Sequence, residues 1–156
     1  MVSVKYKKQD NFITHPLRYD HYAYVIDHMR HWDHLEIMLQ GYTKKKLLEM
    51  FNNLHGVSAT HGKLPVLCAG YQTFPGTYWY WFFGTPIVKD FFKTITREAR
   101  AMIESNEKKD PEARHIVQVW KKHQDSVKWL NILKFKPFSS FFVGNEEILL
   151  VERKRN

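Results

Sequence analysis

The sequence predicts a mixed α/β domain: one sheet holding parallel and antiparallel strands, with helices on both faces. Three strand-like runs follow one another between residues 57 and 83 with only turn chemistry between them, so the sheet starts antiparallel. The strand at 78–83, the helix at 90–104 and the strand at 115–121 then require a right-handed parallel crossover. Two last runs, 138–143 and 148–152, close as a hairpin around Gly144-Asn145. The chain has 156 residues, 44% hydrophobic and 15% aromatic, enough for one real core and too apolar for a wholly disordered chain. No repeat and no Pro/Gly/Ser linker divides it, so 1–156 reads as a single domain.

Each element has a local reason. Residues 2–7 alternate apolar and polar, which predicts a short first strand. Over 21–31, Tyr22, Val25, Ile26 and Met29 fall at i, i+3, i+4 and i+7, one helix face, with Asp20 as N-cap. Over 43–54, Leu47, Leu48, Phe51 and Leu54 turn inward, Lys44, Lys45 and Lys46 turn to solvent, and Thr43 caps. Gly56 closes the helical region. Strands follow at 57–60 and 65–71, and Phe74-Pro75-Gly76-Thr77 is a type II turn, with Pro presetting φ and Gly accepting a positive one. The run 78–83 is aromatic at every position and predicts a strand packed on both faces. In the helix at 90–104, Phe92, Ile95, Ala99, Met102 and Ile103 share one face; residues 105–114 are expected as a solvated loop. The strand at 115–121 leads to a short helix carrying Val127, Leu130 and Leu133, capped by Asp125 or Ser126. The predicted order is β-α-α-β-β-β-α-β-α-β-β.

Charge and composition exclude some functions. Lys+Arg 24 against Asp+Glu 16 gives a net charge of +8, spread along the chain without a polybasic arm. Such charge permits weak nonspecific contact with nucleic acid and specifies none. No apolar run is long enough to span a membrane, and the first residues have no apolar signal core. The lone Cys68 cannot form an internal disulfide and reads as inert core. His28, His31 and His34 at i, i+3 and i+6 lack a metal-ligand pattern and read as a solvated helix end; no metal is expected. The aromatic run 78–83 reads as core in preference to a base-stacking platform, since helices flank it on both sides.

The element order resembles the GNAT N-acetyltransferase fold over nearly the whole chain. The segment His123-Gln124-Asp125-Ser126-Val127-Lys128-Trp129-Leu130-Asn131-Ile132-Leu133-Lys134-Phe135 resembles that family's late motif, in which Asn-x-x-Ser-(apolar)-Lys/Arg-(aromatic)-Leu runs to Leu-Gly-Phe. Three further pieces resemble GNAT-like proteins of tailed phages, some of them internal virion proteins. These are Arg30-His31-Trp32-Asp33-His34-Leu35-Glu36, the aromatic strand ending Gly84-Thr85, and residues 92–100. Asp33 and Glu36 read as positioning residues of the second helical region in preference to an acid–base pair.

The departures from the family bear on function. The resemblance implies an Arg/Gln-x-x-Gly-x-Gly/Ala loop after the fourth strand, whose free N–H groups hold the coenzyme A pyrophosphate. Here Gly84-Thr85-Pro86-Ile87-Val88-Lys89-Asp90-Phe91-Phe92 has no glycine after Gly84, a proline without a donor, and a carboxylate. If coenzyme A binds, the resemblance assigns Gly84, Thr85, Val88, Lys89 and Ser126 to it, Lys89 as a compensating point charge. The aromatic strand has no carboxylate and the late helix no tyrosine. His123, in the place of the family's Asn, is the catalytic candidate, weighed against a polar residue at a strand–helix junction, which is preferred. Lys134 stands where the family has glycine. The preferred reading is a non-catalytic interaction protein of a tailed-phage virion, in the particle or the host cytoplasm, without a cofactor, contacting other virion proteins and open to oligomerisation. The alternative is an acetyl-CoA-dependent N-acyltransferase with an atypical pyrophosphate loop.

Overall fold

A computed structural model describes residues 11–153. Among the described residues seven strands form one sheet in the order β1-β2-β3-β4-β5-β7-β6: β1 Phe12–Pro16, β2 His55–His61, β3 Leu64–Phe74, β4 Thr77–Gly84, β5 Arg114–Trp120, β6 Phe135–Val143 and β7 Glu146–Arg153. Five α-helices join them: α1 Tyr19–Asp27, α2 His31–Leu39, α3 Lys44–Glu49, α4 Phe92–Lys109 and α5 Gln124–Ile132. The β4–β5 pair is parallel and every other described pair antiparallel; the antiparallel start β2–β3–β4, the parallel crossover and the closing β6–β7 hairpin are as the sequence predicts. The expected strand at 2–7 lies outside the described residues. The first described strand, β1, is a short edge strand ending in Pro16, and its apolar content is too low to announce it.

β4 divides the core because its side chains alternate between two packed faces. On one face Trp81 and Phe83 join Tyr22, Val25, Ile26, Ile37, Leu47 and Cys68 beneath α1–α3. On the other, Phe82 packs with Val66, Leu67, Val88, Phe91 and Ile95, and Tyr80 with Ile103, Val119, Leu130 and Leu133 beneath α4 and α5. The expected core role of this aromatic strand holds.

Several local expectations need correcting. α1 starts earlier than expected, with Arg18 as N-cap; Asp20 sits in the first turn, pairing with Arg18 at 2.6 Å. Thr43 caps α3, accepting from Lys46 N at 3.1 Å. The stretch read as a solvated helix end is a separate helix: His28 closes α1, while His31 and His34 lie in α2. α4 continues through Lys109, five residues into the expected loop, because Asn106 is buried and its Nδ2 donates to Tyr80 Oη at 3.1 Å. His123, not Asp125 or Ser126, is the α5 N-cap residue. Lys134 occupies the left-handed position after α5 with φ 71°, so the backbone keeps the shape a glycine would favour. Gly76 has φ 75°, as the type II turn demands.

Candidate active site at the split in the sheet

The parallel ladder between β4 and β5 is short. Its register runs from Thr77–Arg114 to Tyr80–Val117 and stops, while β4 continues to Gly84 and β5 to Trp120. Twist drives neighbouring strands apart unless cross-strand contacts hold them, and no β4–β5 pair follows Tyr80–Val117. Thr85 N bonds Val66 O at 2.9 Å, so Gly84 and Phe82 present their N–H and C=O groups away from β3, into the split.

Helix α2 crosses the far end of that split. Asp33 and Glu36, one turn apart, share a helix face. Asp33 Oδ2 accepts from Gly84 N at 2.9 Å, and Arg30 N donates to Gly84 O at 2.8 Å. Both guanidinium hydrogen bonds of Arg30, at 2.8 and 3.1 Å, also fall on Asp33. Glu36 reaches the other strand: Oε2 accepts from Trp120 N at 3.3 Å, and Oε1 lies 2.8 Å from His123 Nδ1. One carboxylate therefore secures the end of β4 and the other the end of β5. The sequence expected the pair to position the second helical region; the structure ties that helix through them to the ends of two strands.

His123 is 3% exposed, and Trp32 stacks over it at 6.0 Å. A carboxylate can only accept, so Nδ1–H donates to Glu36. Nε2 is then left to accept, and Ser126 Oγ lies 3.1 Å away. Asp33 Oδ1 is 3.9 Å from the same nitrogen. The sequence placed His123 at a strand–helix junction, which is correct; its connection to Glu36, 87 positions away, had no local signal.

These groups line a cleft of about 840 Å³, a volume suited to a small-molecule site. It extends to both faces of the sheet, past Tyr22, Ile37 and Trp81 on one and past Ala99, Ser126 and Trp129 on the other. Trp81 Nε1 is buried there with no hydrogen-bond partner, a donor left over for whatever enters. Composition could not flag it, since every position from 78 to 83 is aromatic.

The residues assigned to a pyrophosphate are arranged differently. Gly84 N is taken by Asp33, and Thr85 gives both its N–H and its hydroxyl to Val66 O. Residues 86–91 form a 3-10 turn that buries Val88 and Phe91, while Lys89 stays exposed. A Cβ at Gly84 would meet Val88 Cγ1 at 2.7 Å, so this glycine is required by packing against the turn. Ser126 stands apart from these residues, on α5 beside His123. The N–H groups of Gly84, Thr85 and Val88 are thus all taken by protein acceptors, whereas a diphosphate site needs free N–H groups converging outward. Among the described residues no group of three metal-ligating side chains converges, and no helix is long and apolar enough to cross a membrane.

No protein-family model matches the sequence, and no curated protein matches it. Solved structures do match in fold. A GNAT-family acetyltransferase from Bacillus anthracis superposes with a TM-score of 0.66 at 14% identity, covering 91% of this chain and 93% of the other. A spermidine N-acetyltransferase variant from Vibrio cholerae gives 0.63 at 9% identity, covering 92% and 93%. A putative acetyltransferase from Salmonella typhimurium, solved with acetyl-CoA, gives 0.61 at 7% identity, covering 91% and 92%. At these identities the likeness establishes the fold: a mixed seven-stranded sheet of the GNAT type.

Proposed function

We propose that the chain is an N-acyltransferase that grips an acyl thioester by its acyl-bearing arm in the split between β4 and β5. The observation that carries this reading is the end of the β4–β5 ladder at Tyr80–Val117, which opens an unpaired strand edge at Phe82 onto the cleft. An extended thioester arm carries amides that pair with such an edge as a strand would. Trp81 Nε1, without a protein partner, offers one further donor. His123, held by Glu36, takes the proton that an attacking nucleophile must lose. This revises the preference for a non-catalytic virion protein. The phage part of that expectation rests on three short sequence pieces, and its non-catalytic part on the missing loop glycines and catalytic groups; the cleft and its buried His123 favour acyl transfer.

Because the β4–α4 loop offers no diphosphate cradle, the nucleotide end of coenzyme A contributes little to recognition. Acetyl-CoA and a truncated acetyl thioester ending at the pantetheine amide are expected to give kcat/KM values within about tenfold of each other. Lys89→Ala should leave both unchanged. A preference for acetyl-CoA beyond about a thousandfold, lost in Lys89→Ala, would return the diphosphate to the loop. Absence of transfer from any thioester to a panel of amines would sink the acyl-transfer reading.

A further inference from the structure

We propose that Ser126 is a nucleophile, and that Ser126, His123 and Glu36 form a relay through which the acyl group passes covalently. This rests on the acyl-transfer reading for its donor, but the covalent chemistry is tested separately below. Three observations converge. Ser126 Oγ lies 3.1 Å from His123 Nε2, and His123 Nδ1 lies 2.8 Å from Glu36 Oε1: nucleophile, base and orienting carboxylate in hydrogen-bonded sequence. All three line the cleft. Third, Ser126 sits in the first turn of the nine-residue α5, whose first i to i−4 bond is Val127 N to His123 O at 3.1 Å. The N–H groups of Asp125 and Ser126 precede that bond and have no acceptor within the helix, so they are donors for a developing oxyanion.

Serine caps a helix backbone from the N-cap position, and Ser126 lies three residues beyond it. Here the N-cap is His123, and the Ser126 hydroxyl is directed at the imidazole. The histidine is fixed by Glu36 on one nitrogen and covered by Trp32, which holds one ring orientation. Glu36 is itself held by Trp120 N, so the carboxylate cannot swing away from the ring. The imidazolium that forms has Glu36 at Nδ1 and Asp33 3.9 Å from Nε2 to stabilise its charge.

The steps balance. Ser126 Oγ attacks the thioester carbonyl as its proton passes to His123 Nε2; the C–S bond breaks and the thiolate leaves with that proton. An amine then attacks the Ser126 ester, gives a proton to Nε2, and the C–Oγ bond breaks with the proton returning to Ser126. Water in place of the amine gives hydrolysis. Ser126 and His123 are the catalytic residues, and Glu36 is a positioning residue acting through the ring.

The test uses two probes on the whole chain: an alkyl fluorophosphonate and p-nitrophenyl acetate. Intact-mass and peptide mass spectrometry should place one phosphonyl group on Ser126, and the ester should show a burst near one equivalent. Ser126→Ala should reduce labelling at least about 100-fold, and His123→Gln comparably. Glu36→Gln should lower kcat for the ester with little change in KM, and Glu36→Asp should recover part of it. A purely structural role would instead show equal losses in both Glu36 variants, tracking their thermal midpoints. A Ser126→Ala protein that is folded by circular dichroism and still transfers acyl groups at the wild-type rate would overturn the covalent route while leaving the acyltransferase reading intact. Labelling on Ser126 without transfer from any thioester would do the reverse. No label on the folded wild type, or a label on another residue, overturns the inference.

Discussion

Lys134 shows how one residue can hold a conformation its side chain resists. Its φ of 71° places a Cβ in the left-handed region, which costs an L-residue roughly 1–2 kcal/mol. Lys134→Gly removes that cost and adds chain entropy to the unfolded state, so a net gain of about 0.5–1 kcal/mol is expected in chemical denaturation. His21 makes stability depend on pH. It is buried against Ser58 Oγ at 2.7 Å, and desolvation lowers its pKa below the ordinary value, outweighing the opposing pull of Asp20. The folded state therefore binds this proton less readily than the unfolded chain. The stability associated with neutral His21 is fully present above the unfolded value, near pH 6.5, and is lost as pH falls below it. Denaturation midpoints should decline over that range, and His21→Gln should flatten the decline. Burial pushes the Cys68 thiol up to about 12, so the native protein should not react with a disulfide reagent at neutral pH, and the unfolded one should.

At the scale of elements, α2 does the most for the site. Asp33, 6% exposed, satisfies Gly84 N and both guanidinium hydrogen bonds of Arg30. Asp33→Ala leaves a buried N–H and a half-buried guanidinium without their acceptor, which should cost about 3 kcal/mol; Asp33→Asn keeps an acceptor and should cost less. The helix was hidden because His31-Trp32-Asp33-His34 has no apolar stripe, and two of its inward positions, Asp33 and Glu36, are carboxylates whose partners come from distant strands. The split itself has a measurable signature. Phe83 pairs with Cys68 in the β3–β4 ladder, while Phe82 lies beyond the last β4–β5 pair. In hydrogen exchange the Phe82 amide should exchange at least about tenfold faster than that of Phe83, and a bound thioester arm should slow it.

Across the whole molecule, the order of elements from β2 to β7 was legible because periodicity and turn residues are local. The repeat of aromatic residues at 78–83 announced a strand covered on both sides, and Pro75-Gly76 fixed the hairpin before it. The extension of α4 to Lys109 was not legible, since it depends on Asn106 meeting Tyr80 Oη across the sheet. The charge of +8 also takes its meaning from the fold: Lys44 and Lys122 each pair with an acidic neighbour at an exposed position, at 3.4 and 2.8 Å. Any affinity for DNA should therefore be weak and fall steeply with added salt, which a titration at two ionic strengths will read.

The sequence by itself determined the fold class, the crossover and the loss of glycine after Gly84, because each is written in neighbouring residues. Tertiary structure decided the rest. It spent the Gly84 N–H on Asp33, ended the β4–β5 ladder at Tyr80–Val117, and carried Glu36 across 87 positions to His123 and so to Ser126. Hydrogen bonds between side chains need only a few ångströms of space and no particular separation along the chain. No local pattern can encode them, and the candidate chemistry of this protein lies in them.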